Sequence, residues 1–359
     1  MTKTIMEELR VRRDRISIAK VLHDFVGDEV LPGTGLQEGD FWSALDAILH
    51  DLTPQNRALL ARREDYQRRI DAWHREHRAF DPAEYKAFLG EIGYLQAEGA
   101  DFSIKTEGLD PEISTIAGPQ LVVPVTNARF ALNALNARWG SLYDALYGTD
   151  AIPGTIPQGG YDAERGKKVI AFARAFLDEA VPLQHGSHHD VLAYSIVDGR
   201  LVAVLTDGGR TGLRTPGKFA GFRGEAVAPS AILLVNHGLH IELHIDRSHP
   251  IGRSDAAGIS DIVLEAAVTT IMDFEDSIAA VDAADKTAAY RNWLGLVRGT
   301  LTAAFKKDGR VIVRRANPDR SYTAPDGSSF SLPGRSLMLV RNAGHLMSVS
   351  ANWRNPPTD

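Results

Sequence analysis

Three carboxylates stand at the end of an apolar, β-branched run in TTIMDFEDSIAAVDAADK, residues 269–286. They are Asp273, Glu275 and Asp276. Carboxylates this close repel one another, and burial makes each charge more costly, so the cluster needs a cation, a proton or a ligand. The sequence therefore predicts chemistry at this point of the chain.

A second polar group follows the apolar run in RSLMLVRNAGHLM, where the chain reaches Arg341, Asn342 and His345. An arginine near several carboxylates has two interpretations. It forms either a plain buried ion pair or part of a catalytic site. Residue types and spacing alone leave both open.

A third candidate lies in NHGLHIELHID, where apolar residues alternate strictly with His240, Glu242 and His244. The alternation predicts a half-buried strand. Two imidazoles and a carboxylate are ligand types for zinc or iron. However, side chains two residues apart on a strand stand about 7 Å from each other, which suits convergence on one ion poorly. The favoured interpretation is the polar outer face of a sheet.

Hydrophobic periodicity indicates which elements position these residues. It predicts a helical region over residues 1–95, in which Thr53 is an N-cap and Pro54 lies in a first turn. It also predicts strands at residues 121–125 and 269–272. The acidic cluster then follows the carboxyl end of a strand, which is the ligand-binding end in α/β folds.

Composition limits the classes of function. The chain has 359 residues, enough for two or three domains, with 44% hydrophobic and 24% charged residues. A net charge of -6 gives no electrostatic reason to expect a nucleic acid or an anionic membrane as partner, which favours a small soluble ligand. Cysteine is absent, so any metal must be held by oxygen or imidazole ligands. The charged N-terminus and the lack of a long apolar run predict a cytoplasmic protein.

Six stretches carry a resemblance to a known family. In chain order they are VLHDFVGDEVLPGTG, TIAGPQLVVPVTNARFALNALNARWGSLYDALYGTD, NHGLHIELHID, TTIMDFEDSIAAVDAADK, YRNWLGLVRGTL and GRSLMLVRNAGHLM. Together they resemble malate synthase, G isoform, from about residue 15 to residue 348. The resemblance implies an acyltransferase of the glyoxylate bypass, which condenses acetyl-CoA with glyoxylate and hydrolyses the thioester to malate and CoA, using Mg²⁺.

The resemblance also implies an α/β fold, a partial TIM (β/α)8 barrel with an N-terminal helical clasp and an inserted α/β domain. Barrel strands are expected near 119–126, 268–273 and 336–341. The expected domains are the clasp at 1–100, the first barrel strand and helix at 115–140, the insert at 141–262 and 300–333, a barrel strand and helix at 263–299, and a truncated barrel strand at 334–359.

Individual residues take roles from the same resemblance. Arg341 matches the catalytic arginine, which contacts glyoxylate and stabilises the enolate oxygen formed when acetyl-CoA loses a methyl proton. Asp273 and Glu275 are expected to form an outer shell that accepts hydrogen bonds from Mg²⁺-bound waters. Asp276 either shares that role or caps the following helix, and the cap is the favoured interpretation. The positions that match acetyl-CoA-binding residues are Val122, Arg129, Phe130, Ser277 and Arg314.

The chain is far shorter than members of that family. The direct Mg²⁺ ligands and the aspartate general base are expected in the missing C-terminal part, so we expect this polypeptide alone to be inactive and, with open barrel edges, poorly stable. Two alternatives stay open: a non-catalytic fragment that at most binds CoA, and a related acyl-CoA lyase that acts on another oxo acid. The resemblance favours a monomer for the full-length protein.

Overall fold

A computed structural model describes residues 9–79, 81–157, 159–307, 309–344 and 353–354. The chain divides into two compact units, each assembled from separate stretches of sequence. The first comprises the described residues of Met1–Gly108, Ala279–Leu294 and Asn342–Asp359; the second comprises those of Leu109–Ile278 and Gly295–Arg341. The domain boundaries expected from the sequence divide the chain more finely and stay predictions.

Helices and strands are both abundant in the described residues, so the protein has the mixed α/β fold predicted. The helices are α1 (Lys20–Phe25), α2 (Glu38–Glu76), α3 (Pro82–Glu91), α4 (Pro111–Ser114), α5 (Ala128–Asn136), α6 (Leu142–Tyr147), α7 (Ala163–Ala180), α8 (Pro250–Ser254) and α9 (Ala283–Val297). None of these helices is long and apolar enough to cross a membrane.

The strands follow the same numbering along the chain. They are β1 (Arg10–Arg13), β2 (Ile16–Ala19), β3 (Gln120–Pro124), β4 (Trp139–Ser141), β5 (Val191–Val197), β6 (Arg200–Leu205), β7 (Arg210–Thr211), β8 (Phe219–Glu225), β9 (Ala228–Asn236), β10 (Leu239–Ile245), β11 (Ile259–Glu265), β12 (Thr269–Asp273), β13 (Ala303–Lys307), β14 (Arg310–Arg314), β15 (Arg320–Thr323), β16 (Ser329–Leu332), β17 (Leu337–Arg341) and β18 (Trp353–Arg354).

A long helix dominates the first unit. Helix α2 has 39 residues and contains Pro54 in its interior, so the helix start predicted at Thr53 is wrong. An interior proline costs about 3 kcal/mol because it removes a hydrogen bond and crowds the preceding turn. Trp42 and Trp73 are buried towards the two ends of the helix. Packing on both sides of the proline therefore offsets its cost.

The N-terminal region is also not purely helical. β1 pairs antiparallel with β2, and β18 pairs with the other edge of β2. Ile16 and Ile18 alternate inward and are 1% and 3% exposed. They pack with Phe25 and Trp42 in one apolar cluster. The two-residue alternation of these short strands is hard to detect beside the longer helical pattern. It nevertheless forms a hairpin in a region that the sequence predicts to be helical.

The second unit contains a seven-stranded sheet in the order β16-β15-β8-β9-β10-β11-β4. Its central hairpin joins β9 to β10 through His237 and Gly238, whose φ angles of 50° and 79° lie in the left-handed region. Two such residues form the tight turn that matches strand twist. Ile232, Leu243 and Ile259 are fully buried in the core on one side of this sheet.

A smaller parallel sheet of three strands, in the order β17-β12-β3, lies in the same unit. These strands occupy the three positions at which the sequence predicts barrel strands. β12 is central and pairs in parallel with both neighbours. The register aligns Asp273 with Arg341 on one side and with Pro124 on the other. The carboxyl ends of all three strands therefore meet at one edge.

Candidate functional site

Asp273 is the most heavily bonded carboxylate at this edge. It is fully buried. Oδ1 accepts a hydrogen bond from the backbone N–H of Glu275 at 3.0 Å, and Oδ2 accepts from the N–H and the hydroxyl of Ser277 at 2.8 and 2.6 Å. The chain after β12 is therefore folded around this carboxylate.

Arg341 completes the set of donors to Asp273. Its Nε donates to Oδ1 and its Nη2 to Oδ2, both at 2.9 Å, a side-on fork. The hydrogen bonds from Arg341, followed by those from Ser277, outweigh the burial of Asp273 and hold the pKa of that carboxyl far below its usual range. The same contact raises the pKa of Arg341. Both groups stay charged at every physiological pH.

The arginine is not enclosed. Its side chain is 38% exposed, whereas that of Asp273 is 0% exposed. Nη1 lies 3.3 Å from Oδ2 of Asp276, which is itself 73% exposed, and Nε lies 3.8 Å from Oε2 of Glu275. The structure therefore brings together Arg341 and the acidic cluster and leaves the arginine side chain partly exposed to solvent. A fixed, partly exposed cation is suited to binding a carboxylate or stabilising a developing oxyanion.

The expectation that Asp276 caps the next helix is wrong. Helix α9 begins at Ala283, seven positions further on. Asp282 instead accepts the backbone N–H of Asp285 at 2.8 Å, the contact of an N-cap. Asp276 lies in the turn that Asp273 organises. His345, which the sequence grouped with Arg341, lies outside the described residues.

A second group of predicted residues surrounds Phe305 on β13. The guanidinium carbon of Arg129 lies 4.3 Å from the centre of the Phe305 ring, and that of Arg314 lies 5.3 Å from it. Arg129 is exposed in the first turn of α5, a helix capped by Asn127, whose side chain accepts the N–H of Phe130 at 3.1 Å. Within the described residues neither guanidinium forms an ion pair with a carboxylate. Two cations thus share one aromatic ring.

The remaining predicted residues are spread over the two groups. Val122 lies in β3 opposite Ile271, and its side chain is 52% exposed. Phe130 is 51% exposed on α5. Ser277 belongs to the Asp273 turn. Strand β3 pairs with β12 and is followed by α5, so it joins the parts of the chain that carry the two groups.

The polar side of β10 is neither a metal site nor an outer face. Glu242 is fully buried. It accepts hydrogen bonds from Arg223, Arg320, the hydroxyl of Tyr322 and Nε2 of His244. Burial disfavours its charge, but the contacts from His244, Arg320 and Arg223 outweigh burial and lower its pKa. This carboxylate is a structural ion centre.

His240 has a different partner. Its Nδ1 lies 2.7 Å from Oε2 of Glu265 on the neighbouring strand, and Arg138 bonds the other oxygen of that carboxylate. Across the described parts of the chain, no group of three or more histidine, aspartate or glutamate side chains has a metal-binding arrangement. The interpretation of this strand as a polar outer face is therefore wrong, because its charged side is covered and neutralised within the unit.

Comparison with known proteins decides the family. Residues 21–85 match the model of the malate synthase N-terminal domain, and residues 161–236 match that of the malate synthase G alpha-beta insertion domain. Malate synthase G of Halalkalibacterium halodurans is 54% identical over 338 residues, 93% of this chain. Malate synthase G of Corynebacterium glutamicum is 53% identical over 342 residues, 94% of this chain, and that of Corynebacterium efficiens is 52% identical over 346 residues, 95% of it.

The chain belongs to the malate synthase G family. It spans about half the length of these curated relatives, 46% in each of the three. The family resemblance predicted from the six stretches is thereby confirmed. The insertion-domain match covers β5 to β9, the part of the chain where antiparallel hairpins interrupt the helical pattern.

Reasoning from the sequence missed one residue of this malate synthase G relative. Phe305 lies in TAAFKKDG, a stretch with no motif of its own. The available signal was its position nine residues before Arg314, with a turn between them that brings the two strands together. Only the register of that hairpin and the position of α5 show that Phe305 touches both arginines.

Proposed function

We propose that this chain supplies the oxo-acid-binding and CoA-binding part of a malate synthase. The reaction is the condensation of acetyl-CoA with glyoxylate, followed by hydrolysis to malate and CoA. The parallel sheet β17-β12-β3 is proposed as the first part of a TIM barrel, because its strands are parallel and carry their charged groups at the carboxyl ends. Substrate sites of such barrels are built at that end.

The observation that carries the proposal is the mounting of Arg341. Asp273 occupies Nε and Nη2, so the guanidinium cannot rotate, while the side chain stays 38% exposed and Nη1 faces the exposed carboxylate of Asp276 at 3.3 Å. An arginine held in this way offers donors at fixed positions to the carboxylate of glyoxylate and to the enolate oxygen of the acetyl group. Donors fixed in advance stabilise developing charge more than donors that must reorient. Asp273 is thus a positioning residue for Arg341.

Mg²⁺ remains the proposed cofactor, but fewer residues of this chain are candidates for contact with its bound waters. Both oxygens of Asp273 are taken up by Arg341 and by the turn, which leaves little capacity for metal-bound water. Among the described residues, the carboxylate of Glu275 has only the long contact of 3.8 Å to Arg341, and it can accept a hydrogen bond from such a water. The described residues therefore fit an outer-shell role for Glu275 and no direct ligand. When bound, Mg²⁺ polarises the aldehyde of glyoxylate.

The acetyl-CoA site is proposed around Arg129, Phe130 and Arg314, with contributions from Val122 and Ser277. Two arginines that form no ion pair with a carboxylate of the described residues are suited to the phosphates of CoA. Exposed apolar side chains at Val122 and Phe130 offer contact area to the adenine or the pantetheine arm.

Turnover is proposed to require the part of the family that lies beyond this match. We expect the 359-residue chain to form no malate by itself and to do so when mixed with the C-terminal part of the Halalkalibacterium halodurans malate synthase G. Release of the CoA thiol from acetyl-CoA in the presence of glyoxylate is the assay. The chain itself has no cysteine and adds no background to it.

In the mixture, Arg341→Lys should lower the rate by about 10² to 10³, because a lysine cannot keep the fork to Asp273 and present donors at the same time. Arg298→Lys, at an exposed arginine of the same unit, is the matched control and should leave the rate unchanged. Equal rates for Arg341→Lys and the wild type would refute the catalytic assignment.

The alternative is a CoA-binding module without catalysis. It is favoured by one observation: Arg129, Phe305 and Arg314 all lie within this chain. Calorimetry of CoA against the chain alone, together with a reconstituted mixture that forms no malate, would support it. A mixture that releases thiol with pyruvate in place of glyoxylate would instead support a related acyl-CoA lyase.

A further inference from the structure

Two arginines 185 positions apart in sequence, Arg129 and Arg314, lie against one aromatic ring. Like charges repel, so their proximity needs a compensating contact. The face of a phenyl ring attracts a guanidinium through its quadrupole, and it does so without neutralising the charge or using up the N–H groups. Phe305 therefore holds two cations together while both keep their full charge and their donors.

The backbone fixes this arrangement from two directions. In the β13–β14 hairpin, Ala303 pairs with Arg314 and Phe305 pairs with Ile312, which places Phe305 and Arg314 on the same face as diagonal neighbours. Arg129 enters from the first turn of α5.

The other end of α5 is tied to the exit of the hairpin. Asn136 Nδ2 donates to the carbonyl of Arg315 at 2.8 Å, and the N–H of Asn317 donates to Asn136 Oδ1 at 2.8 Å. The helix that carries Arg129 and the strand that carries Arg314 are thus bound to each other independently of the ring.

We propose that Phe305 is the positioning residue of a pyrophosphate site, in which Arg129 and Arg314 each bind one phosphate of the CoA diphosphate. This deepens the proposed function and rests on it. Two planar donor forks, centred 4.3 and 5.3 Å from the middle of one ring, suit two linked phosphates, and each guanidinium can bind bidentately. The N-terminus of α5, a nine-residue helix, adds a favourable dipole on the same side as Arg129. The ligand class is an adenosine diphosphate derivative, and the ring itself does not contact phosphate.

The test measures the affinity of the full chain for CoA, ADP and adenosine by calorimetry at fixed ionic strength. Phe305→Leu keeps an apolar side chain but removes the π face. It should weaken CoA and ADP binding about 5- to 10-fold and leave adenosine unchanged, since two cation–π contacts are lost and no base contact is. Phe305→Trp keeps an aromatic face and should bind CoA and ADP about as tightly as the wild type does. Phe172→Leu, at a phenylalanine of α7 that is 47% exposed, is the matched control and should change nothing.

A double-mutant comparison separates positioning from simple folding. In an Arg129→Gln, Arg314→Gln background, Phe305→Leu should have no further effect on ADP affinity, because the groups through which the ring acts are gone. Circular dichroism of the same variants shows whether Phe305→Leu unfolds the unit.

Each outcome bears on the proposal. Unchanged CoA and ADP affinity in Phe305→Leu would overturn the inference and leave the proposed function intact. An equal loss for adenosine, or a loss that persists in the double-arginine background, would show a structural role and would also overturn it. A wild-type chain that binds no CoA would overturn the inference together with the proposed CoA site.

Discussion

Asp273 and Asp255, both in the second unit, each hold a turn and bind an arginine, but the two arginines differ in their exposure to solvent. Asp273 accepts the N–H groups of the turn that follows β12 and binds Arg341. Asp255 accepts the N–H groups of Ala257 and Ile259, at 3.0 and 2.9 Å, and binds Arg174. In each case one carboxylate folds a turn and holds a guanidinium.

The difference lies in the exposure of the arginine. The side chain of Arg174 is 4% exposed and that of Asp255 is 3% exposed, whereas Arg341 is 38% exposed above a carboxylate with no exposure. A guanidinium enclosed with its partner can only brace the fold. A guanidinium that stays partly exposed while its partner carboxylate is buried can also bind a ligand. The exposure of the cation therefore separates a structural pair from a candidate catalytic one.

The largest expected effect comes from breaking the enclosed pair. Asp255→Ala leaves the charge of Arg174 buried and unpaired, and it removes the acceptor of two backbone N–H groups. We expect the free energy of unfolding to fall by about 3–5 kcal/mol, measured by urea titration with circular dichroism. Asp150→Ala, at an exposed aspartate of the same unit, should cost nearly nothing. A loss for Asp255→Ala as small as the control would mean that the pair does not brace the unit.

The second effect concerns the half-exposed pair and depends on pH. Asp273→Asn removes the charge that Arg341 and Ser277 contact, and we expect a loss of about 2 kcal/mol at neutral pH. The folded pKa of Asp273 lies below the unfolded value of about 3.9, so its stabilisation is full above about pH 4 and is lost as the pH falls through the folded pKa. The difference between wild type and variant should therefore be flat from about pH 5 to about pH 8 and shrink below about pH 4.

Asp326→Asn supplies the control for that titration. Asp326 also accepts the N–H and the hydroxyl of a serine two residues on, Ser328, but is exposed and has no arginine partner among the described residues. Its substitution should give a smaller difference than Asp273→Asn. Equal pH profiles for the two variants would mean that the hydrogen bonds of the turn provide the stabilisation and that Arg341 contributes nothing to it.

The elements that carry Asp273, Arg341 and Glu242 follow from the sequence more fully than their contacts do. The apolar runs ending at Asp273 and Arg341 predict two strands and their charged ends. The pairing of these residues, 68 positions apart, follows from the order of strands in the sheet, which the periodicity does not contain and the family resemblance supplies. The alternation in β10 predicts its strand but not its buried charge. Apart from His244 on the same strand, the partners of Glu242 come from 19 to 80 positions away, and only the folded sheet brings them together.

A third, smaller effect tests the buried charge of β10. Tyr322→Phe removes one hydrogen bond of 3.0 Å to Glu242, while Arg223, Arg320 and His244 remain. We expect a loss of about 1 kcal/mol in the free energy of unfolding, because the carboxylate keeps most of its donors. A loss comparable to that of Asp255→Ala would mean that the hydroxyl, and not the arginines, satisfies this carboxylate.

The smallest effect on stability should come from Asp276→Asn, and it defines the open side of Arg341. The carboxylate of Asp276 is 73% exposed, so its contact of 3.3 Å with Nη1 is screened by water and salt. The urea midpoint should not change. In the reconstituted mixture, however, the KM for glyoxylate should fall about 2- to 3-fold at low salt, since the variant removes an anion that competes with the substrate carboxylate for the same donor. That gain should vanish at about 1 M salt. A loss of stability in Asp276→Asn as large as that in Asp273→Asn would contradict this assignment. In that case the exposed carboxylate would be holding the arginine, and Nη1 of Arg341 would serve the fold and not a ligand.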